Sequence, residues 1–173
     1  MGKIIPDMDL EIAERKAIKE SLTEGMKEKA VELKYVAGVD ELIVREILPA
    51  TDIGLTNEYW VTPTLTANTW TAYFTAKQVA DKTLVGFYGV KNLSADPKIT
   101  GIRFFSGKEK TKTLDVTQLE GIYKVGAAEG FFDEPLVYIA KQYITAELYS
   151  QAAVTEFFML RGYVVEPAGE VTY

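Results

Sequence analysis

The sequence predicts a mainly β protein: an antiparallel β-sandwich of about eight strands with an N-terminal α-helical arm. Three observations predict it. From residue 42 onward, short β-type runs recur at spacings of about ten residues, divided by Gly, Pro, Asn and Asp. No helical period lies between these runs, so the crossover helices that a parallel sheet requires are missing. Ten tyrosines, eight phenylalanines and two tryptophans, together with many Thr and Val, are the residues of pleated, half-buried surfaces. At 173 residues the chain has the size of one domain and can bury a core without covalent staples. The expected division is an arm over residues 1–36 and a sandwich over 37–173.

The arm reads as a helix from residue 7 to about 36. Pro6 stands just outside it, and Asp7, Asp9 and Glu11 fall in the first turn, where the helix dipole favours negative charge. Leu10, Ala13, Ala17, Ile18, Leu22, Met26, Ala30 and Leu33 follow one another at three- and four-residue steps. Gly25 weakens the middle by about 1 kcal/mol relative to Ala, which makes a bend there plausible. The stripe is narrow and rich in alanine, so the helix must lie on another surface, either its own domain or a neighbouring subunit. In the second case Ile18, Leu22 and Met26 carry the contact.

The strand candidates are "LIVREIL" (Leu42–Leu48), "EYWVT" (Glu58–Thr62), "TWTAYFT" (Thr69–Thr75), "LVGFYGV" (Leu84–Val90), "ITGIRFF" (Ile99–Phe105), "TLDVTQL" (Thr113–Leu119), "LVYIA" (Leu136–Ala140), "YITAELY" (Tyr143–Tyr149) and "TEFFMLRGYVVE" (Thr155–Glu166). In "YITAELY" the apolar Ile144, Ala146 and Leu148 share one face, and Tyr143, Thr145, Glu147 and Tyr149 share a face expected to meet solvent or a partner. The last run differs. Phe158, Leu160, Gly162 and Val164 make one face; Phe157, Met159, Arg161, Tyr163 and Val165 make the other. Both faces are largely apolar, whereas a sandwich covers only one, so the arm or a second subunit must cover the rest. Phe157, Met159 and Tyr163 are the expected contact residues.

The chain has no cysteine and no histidine. Disulfides, thiol nucleophiles, thiolate and imidazole metal sites and histidine-based triads are thereby excluded. Acid–base work would fall to carboxylates, lysines or tyrosines, and no constellation of these supports catalysis. No catalytic residue, cofactor or metal ligand is therefore assigned. A net charge of −6 without a basic cluster argues against nucleic acid as a partner. No stretch has the apolar length of a signal-peptide core or a spanning helix, and Pro6 spoils a myristoylation signal, so the chain reads as soluble and made in the cytoplasm, with no membrane partner.

Four stretches invite chemistry. Asp133 and Glu134 in "FFDEP" are adjacent, not opposed across a cleft, and read as a turn that starts a strand. "KNLSADPK" (Lys91–Lys98) spaces Asn92, Ser94 and Asp96 like a calcium loop but lacks its glycine and distal glutamate, so an Asx-type turn is expected. "SGKEKTKT" (Ser106–Thr113) reads as a basic hairpin tip rather than a phosphate loop. Tyr59, Trp60 and Trp70 could stack on a sugar, and otherwise belong to the core or an interface.

The run "ITGIRFFSGKEKTKTLDVTQLEGIY" (Ile99–Tyr123), followed by "EPLVYIAKQYITAELYSQAAVTEFFMLRGYVVEP" (Glu134–Pro167), resembles the second half of a viral jelly roll. The likeness is to small virion proteins: single jelly-roll capsid subunits and the decoration or cement proteins of phage heads. It lies in the short strand with "TLDV", the later "ITAELYSQAA" strand and the closing apolar strand ending in "VEP". The resemblance implies a jelly-roll sandwich and a non-catalytic structural protein located in the virion after synthesis in the host cytoplasm. The implied partners are further copies of itself, in a trimer or larger assembly, and the major capsid protein or other virion proteins. The alternative expectation is a carbohydrate-binding β-sandwich module.

Overall fold

The computed structural model describes residues 4–6, 10–60, 64–107, 112–119, 127 and 129–170. Among these, the elements run β1 (Ile4–Pro6), α1 (Ile12–Glu32), β2 (Leu42–Glu46), β3 (Thr69–Gln78), β4 (Leu84–Asn92), β5 (Ile99–Ser106), β6 (Lys112–Gln118), β7 (Glu129–Tyr138), β8 (Tyr143–Ser150) and β9 (Phe158–Pro167). The pairing is nested and antiparallel: β2 with β9, β3 with β8, β4 with β7, and β5 with β6. Ladders β4–β9 and β5–β8 join these pairs into two sheets, ordered β1–β7–β4–β9–β2 and β3–β8–β5–β6. The protein is a mainly β sandwich with one helix near its N-terminus, as the punctuation of the sequence predicts.

Alternation along each strand builds the core. Ile144, Ala146 and Leu148 of β8 meet Phe158, Leu160 and Val164 of β9 and Val85, Phe87 and Val90 of β4 between the sheets. The ring of Phe87 stacks on that of Phe104 from β5, with centroids 5.4 Å apart. Both ladders of β4 shift register between Phe87 and Gly89. Alternation puts Phe87 in the inner core and Tyr88 on the outer face; the bulge resets the phase after Tyr88, so that Val90 faces inward again.

On that outer face lies α1. Leu22, Met26 and Ala30 are buried against Leu42, Leu84, Tyr88, Phe131 and Val165. Leu22 and Met26 rest over Gly86, where an added Cβ would collide with Met26 Sδ and press on Leu22 Cδ1. The ammonium of Lys19 stands 5.3 Å from the centre of the Tyr88 ring. Of the two surfaces open to the helix, it lies on its own domain, so Leu22 and Met26 are committed within the chain and not presented to a neighbour. Gly25 produces no break: the helix is continuous from Ile12 to Glu32. It begins later than its acidic run implies, with Glu11 as N-cap and Glu14 accepting from the Glu11 amide at 3.3 Å; residues 7–9 lie outside the described residues. It ends earlier, at a left-handed Lys34 (φ 61°), where Tyr35 N–H donates to Ala30 O and Lys34 N–H to Val31 O. That pattern satisfies the terminal carbonyls, and Tyr35 packs on the same outer cluster.

Other sequence readings are corrected. Pro6 belongs to a short strand, β1, which pairs Ile4–Pro6 with Gly130–Phe132. Glu58–Trp60 form no strand; Val61 and Thr62 lie outside the described residues. Asp133, Glu134 and Pro135 are not a turn but the middle of β7, in the irregular stretch that faces the Tyr88 bulge. The tip of "SGKEKTKT", residues 108–111, also lies outside the described residues.

The loop between β4 and β5 does contain the expected Asx turn: Ser94 N–H donates to Asn92 Oδ1 at 3.0 Å. Its anchor is Glu156, a buried carboxylate that accepts from Asn92 Nδ2 at 2.8 Å and from the amides of Lys98 and Ile99. An amide nitrogen cannot accept these bonds. Glu156→Gln should therefore cost about 2 kcal/mol, read as a lower urea midpoint with an unchanged slope.

Candidate functional site: a cleft beside the start of the last strand

The two faces of β9 are covered by different means. Its inner face lies in the core. On its outer face Val165 is buried and Tyr163 packs under α1, with the Tyr163 ring 5.5 Å from that of Tyr88. The helix does not reach the beginning of the strand. There Phe157 is 70% exposed and Met159 half-buried, and both line an open cleft of about 560 Å³.

The opposite wall is the segment after β2. Pro49–Ile53 form a π-helical turn, entered by proline and closed by left-handed Gly54 (φ 71°). Asp52 accepts from the Leu48 amide at 2.7 Å and forms a two-pronged pair with Arg45 at 2.7 and 2.9 Å. The Nε of Arg45 donates to Glu166 at 2.7 Å, so the largely buried guanidinium ties the turn to the end of β9. Those carboxylates hold Arg45 firmly protonated. Thr51 donates both its hydroxyl and its amide to Glu58. The Thr51 hydroxyl also holds the exposed Glu58 carboxyl below its ordinary range, so this pin is intact at neutral pH and lost as pH falls through that lowered value.

Pinned in this way, residues 55–60 lie against the sandwich. Leu55 and Trp60 pack on the core, Trp60 stacks on Tyr73 with centroids 5.8 Å apart, and Tyr59 is left 67% exposed. The Phe157 amide donates to Ser94 Oγ at 3.1 Å and its carbonyl accepts from Leu93 at 2.9 Å. The Phe157 ring is thus presented by a fixed backbone. Glu46, Asn57, Glu58 and Arg161 are the polar residues of the lining.

Arg161 also connects the cleft to the helix-covered face. Its Nε donates to the Tyr88 hydroxyl at 3.2 Å and lies 3.5 Å from Glu129 Oε1; Nη2 is 3.9 Å from Glu46. Burial pushes the Tyr88 phenol up to about 12, against the opposing pull of Arg161. Burial also raises the Tyr73 phenol, whose hydroxyl donates to Phe158 O at 3.0 Å. A phenol raised above its unfolded value of 10 contributes stability that is complete below about pH 10 and disappears towards pH 12. The urea midpoint should fall across that window, and Tyr88→Phe should reduce the fall; an equal fall in the variant would contradict the assignment.

The cleft brings together Phe157, Met159, Tyr59 and Trp60 from the two sets of candidate residues. It does not include Trp70. That ring lies on the outer face of the other sheet, 4.2 Å from the guanidinium of Arg103 and 5.5 Å from Tyr149, and over Gly101. On a face expected to be exposed, Glu147 is buried in a pair with Arg103 at 2.7 Å, and Thr145 is buried with its Oγ1 accepting from the Ala76 amide at 2.8 Å. Ile18 lines a separate apolar groove of about 810 Å³ between α1 and β7, with Ala17, Gly25, Val137 and Ile139. Sequence reasoning missed Arg161, Glu46 and Asn57 as cleft residues; the inward–outward alternation of β9 placed Arg161 beside Met159, and that was the available signal. No group of three or more carboxylates that could hold a metal ion occurs among the described residues. No family model, no curated protein and no solved structure matches the chain.

Proposed function

We propose that the protein is a non-catalytic structural component of a virus or phage particle, which builds, decorates or stabilises a capsid through contacts with its own copies and with other capsid proteins. The nested pairing β2/β9, β3/β8, β4/β7 and β5/β6 carries this reading. Nested pairs of this kind are expected of a long antiparallel hairpin rolled into two sheets, the jelly roll found among viral capsid domains, and so favour that arrangement here. Fold alone does not assign a role, so the site must contribute. It contributes an apolar surface made of Phe157, Met159, Leu48 and Tyr59, held on a stiff backbone where the chain's own helix gives no cover. Exposed aromatic groups of this kind suit a protein contact. Several acidic side chains already have structural partners: Asp52 and Glu166 hold Arg45, Glu147 holds Arg103, and Glu156 holds the loop after β4.

Size-exclusion chromatography with light scattering tests the reading. A trimer or larger assembly is expected, with Phe157→Asp shifting it to monomer. A strictly monomeric wild-type protein that also fails to sediment with particles would count against it. A carbohydrate-binding module is the second reading, favoured by Tyr59 and Trp60 in the cleft, while the engagement of Trp70 with Arg103 removes one of its three candidate residues.

A further inference from the structure

Hydrogen-bonding capacity left unspent in the cleft specifies a ligand class. The side chain of Arg161 is only 27% exposed, yet no hydrogen bond joins its Nη1 or Nη2 to another described residue. Glu129 Oε1, buried 3.5 Å from the Arg161 Nε and outside the cleft lining, faces the guanidinium from behind. Among the described residues, the exposed Glu46 side chain makes only its 3.9 Å contact with Arg161, whereas Glu58 is already occupied by Thr51. Donors on Arg161 and an acceptor on Glu46 are therefore both available, and the Arg161 charge already faces two carboxylates, Glu46 and Glu129. An anion would meet Glu46 and Glu58; a cation would meet Arg161. Hydroxyl groups, which donate and accept without charge, meet both demands. The rest of the cleft is aromatic and open, and a pyranose ring offers a C–H face to such a wall.

We propose that this cleft binds a neutral carbohydrate, with a pyranose face on Tyr59 and its hydroxyls between Arg161, Glu46 and Asn57. The assignment rests on the second reading above, which it deepens by naming the ligand class and its residues; because Tyr59 also belongs to the surface given to protein contacts, sugar and protein partner would exclude one another there. Saturation-transfer NMR on the full chain tests it, with methyl β-D-galactoside, methyl β-D-glucoside, methyl α-D-mannoside and lactose as probes and sialyllactose as the charged comparison. Transfer to ring C–H protons of at least one neutral probe is expected, with little change in affinity when salt is raised. Tyr59→Ala should weaken that binding about tenfold, and Asn57→Ala and Glu46→Gln about threefold each, with the thermal midpoint unchanged. Absence of transfer to every neutral probe at about 10 mM would overturn the proposal, as would equal binding by Tyr59→Ala. Binding of sialyllactose alone would overturn it too, yet leave a carbohydrate-binding role standing at another charge class.

Discussion

Gly162→Ala should lower the thermal midpoint by about 10 °C, from a loss of about 3 kcal/mol in a chain of this length. Gly162 pairs with Phe87 in the β4–β9 ladder, at the centre of the five-stranded sheet. A Cβ there would strike the carbonyl oxygen of Gly86 and lie 2.8 Å from Ile47 Cδ1. A side chain could turn away; a backbone carbonyl in the adjacent strand cannot move without opening the ladder. Gly25→Ala gives the opposite sign. Its Cβ meets nothing within 4 Å, so the intrinsic helix preference should add about 1 kcal/mol. Scanning calorimetry of the two variants side by side checks the contrast, and a Gly162→Ala midpoint within about 2 °C of wild type would contradict the close packing described for this ladder.

Removing residues 1–36 should unfold the sandwich or drive it to aggregate. Leu22 and Met26 each lose about 2–3 kcal/mol of burial, and Leu84, Tyr88, Phe131 and Val165 become exposed on the outer sheet. The total, on the order of 5 kcal/mol or more, is comparable with the whole stability of a typical domain. Because a truncated chain can fail for several reasons, Met26→Asp in the full chain is the sharper version: Met26 is 1% exposed and its sulfur lies over Gly86. Urea unfolding should show a loss of about 4 kcal/mol together with binding of a hydrophobic dye. A truncated chain that unfolds cooperatively at the wild-type midpoint would show instead that the helix is a detachable arm.

The sequence disclosed those parts of the fold that local chemistry sets. Proline, glycine and asparagine marked the ends of most strands, and alternation placed Ile144, Ala146 and Leu148 inside. It misjudged "FFDEP", because Asp-Glu-Pro has the composition of a turn; β7 absorbs the stretch in an irregular run opposite the Tyr88 bulge, which only pairing partners far along the chain can create. It also gave "EYWVT" a strand pattern, although the aromatics there serve to cover the sandwich edge, with Trp60 laid on Tyr73. Strand order was beyond local reading, since β2 and β9 meet across more than a hundred residues. The cleft was half legible. Two apolar faces on the last strand marked Phe157 and Met159 as needing cover, but Glu46, Asn57 and Arg161 join them only after the sheet has formed.

The outer face of β9 is divided: the chain's own helix closes one end, and the other lies open, where we propose that a partner docks. Hydroxyl-radical footprinting across a concentration series measures both ends in one experiment. In dilute protein, Phe157 and Tyr59 should be modified readily while Met26 stays unmodified. At concentrations where copies associate, Phe157 should become protected and Met26 should not change. Rapid oxidation of Met26 in dilute protein, or a Phe157 that remains equally reactive in the assembly, would contradict the account.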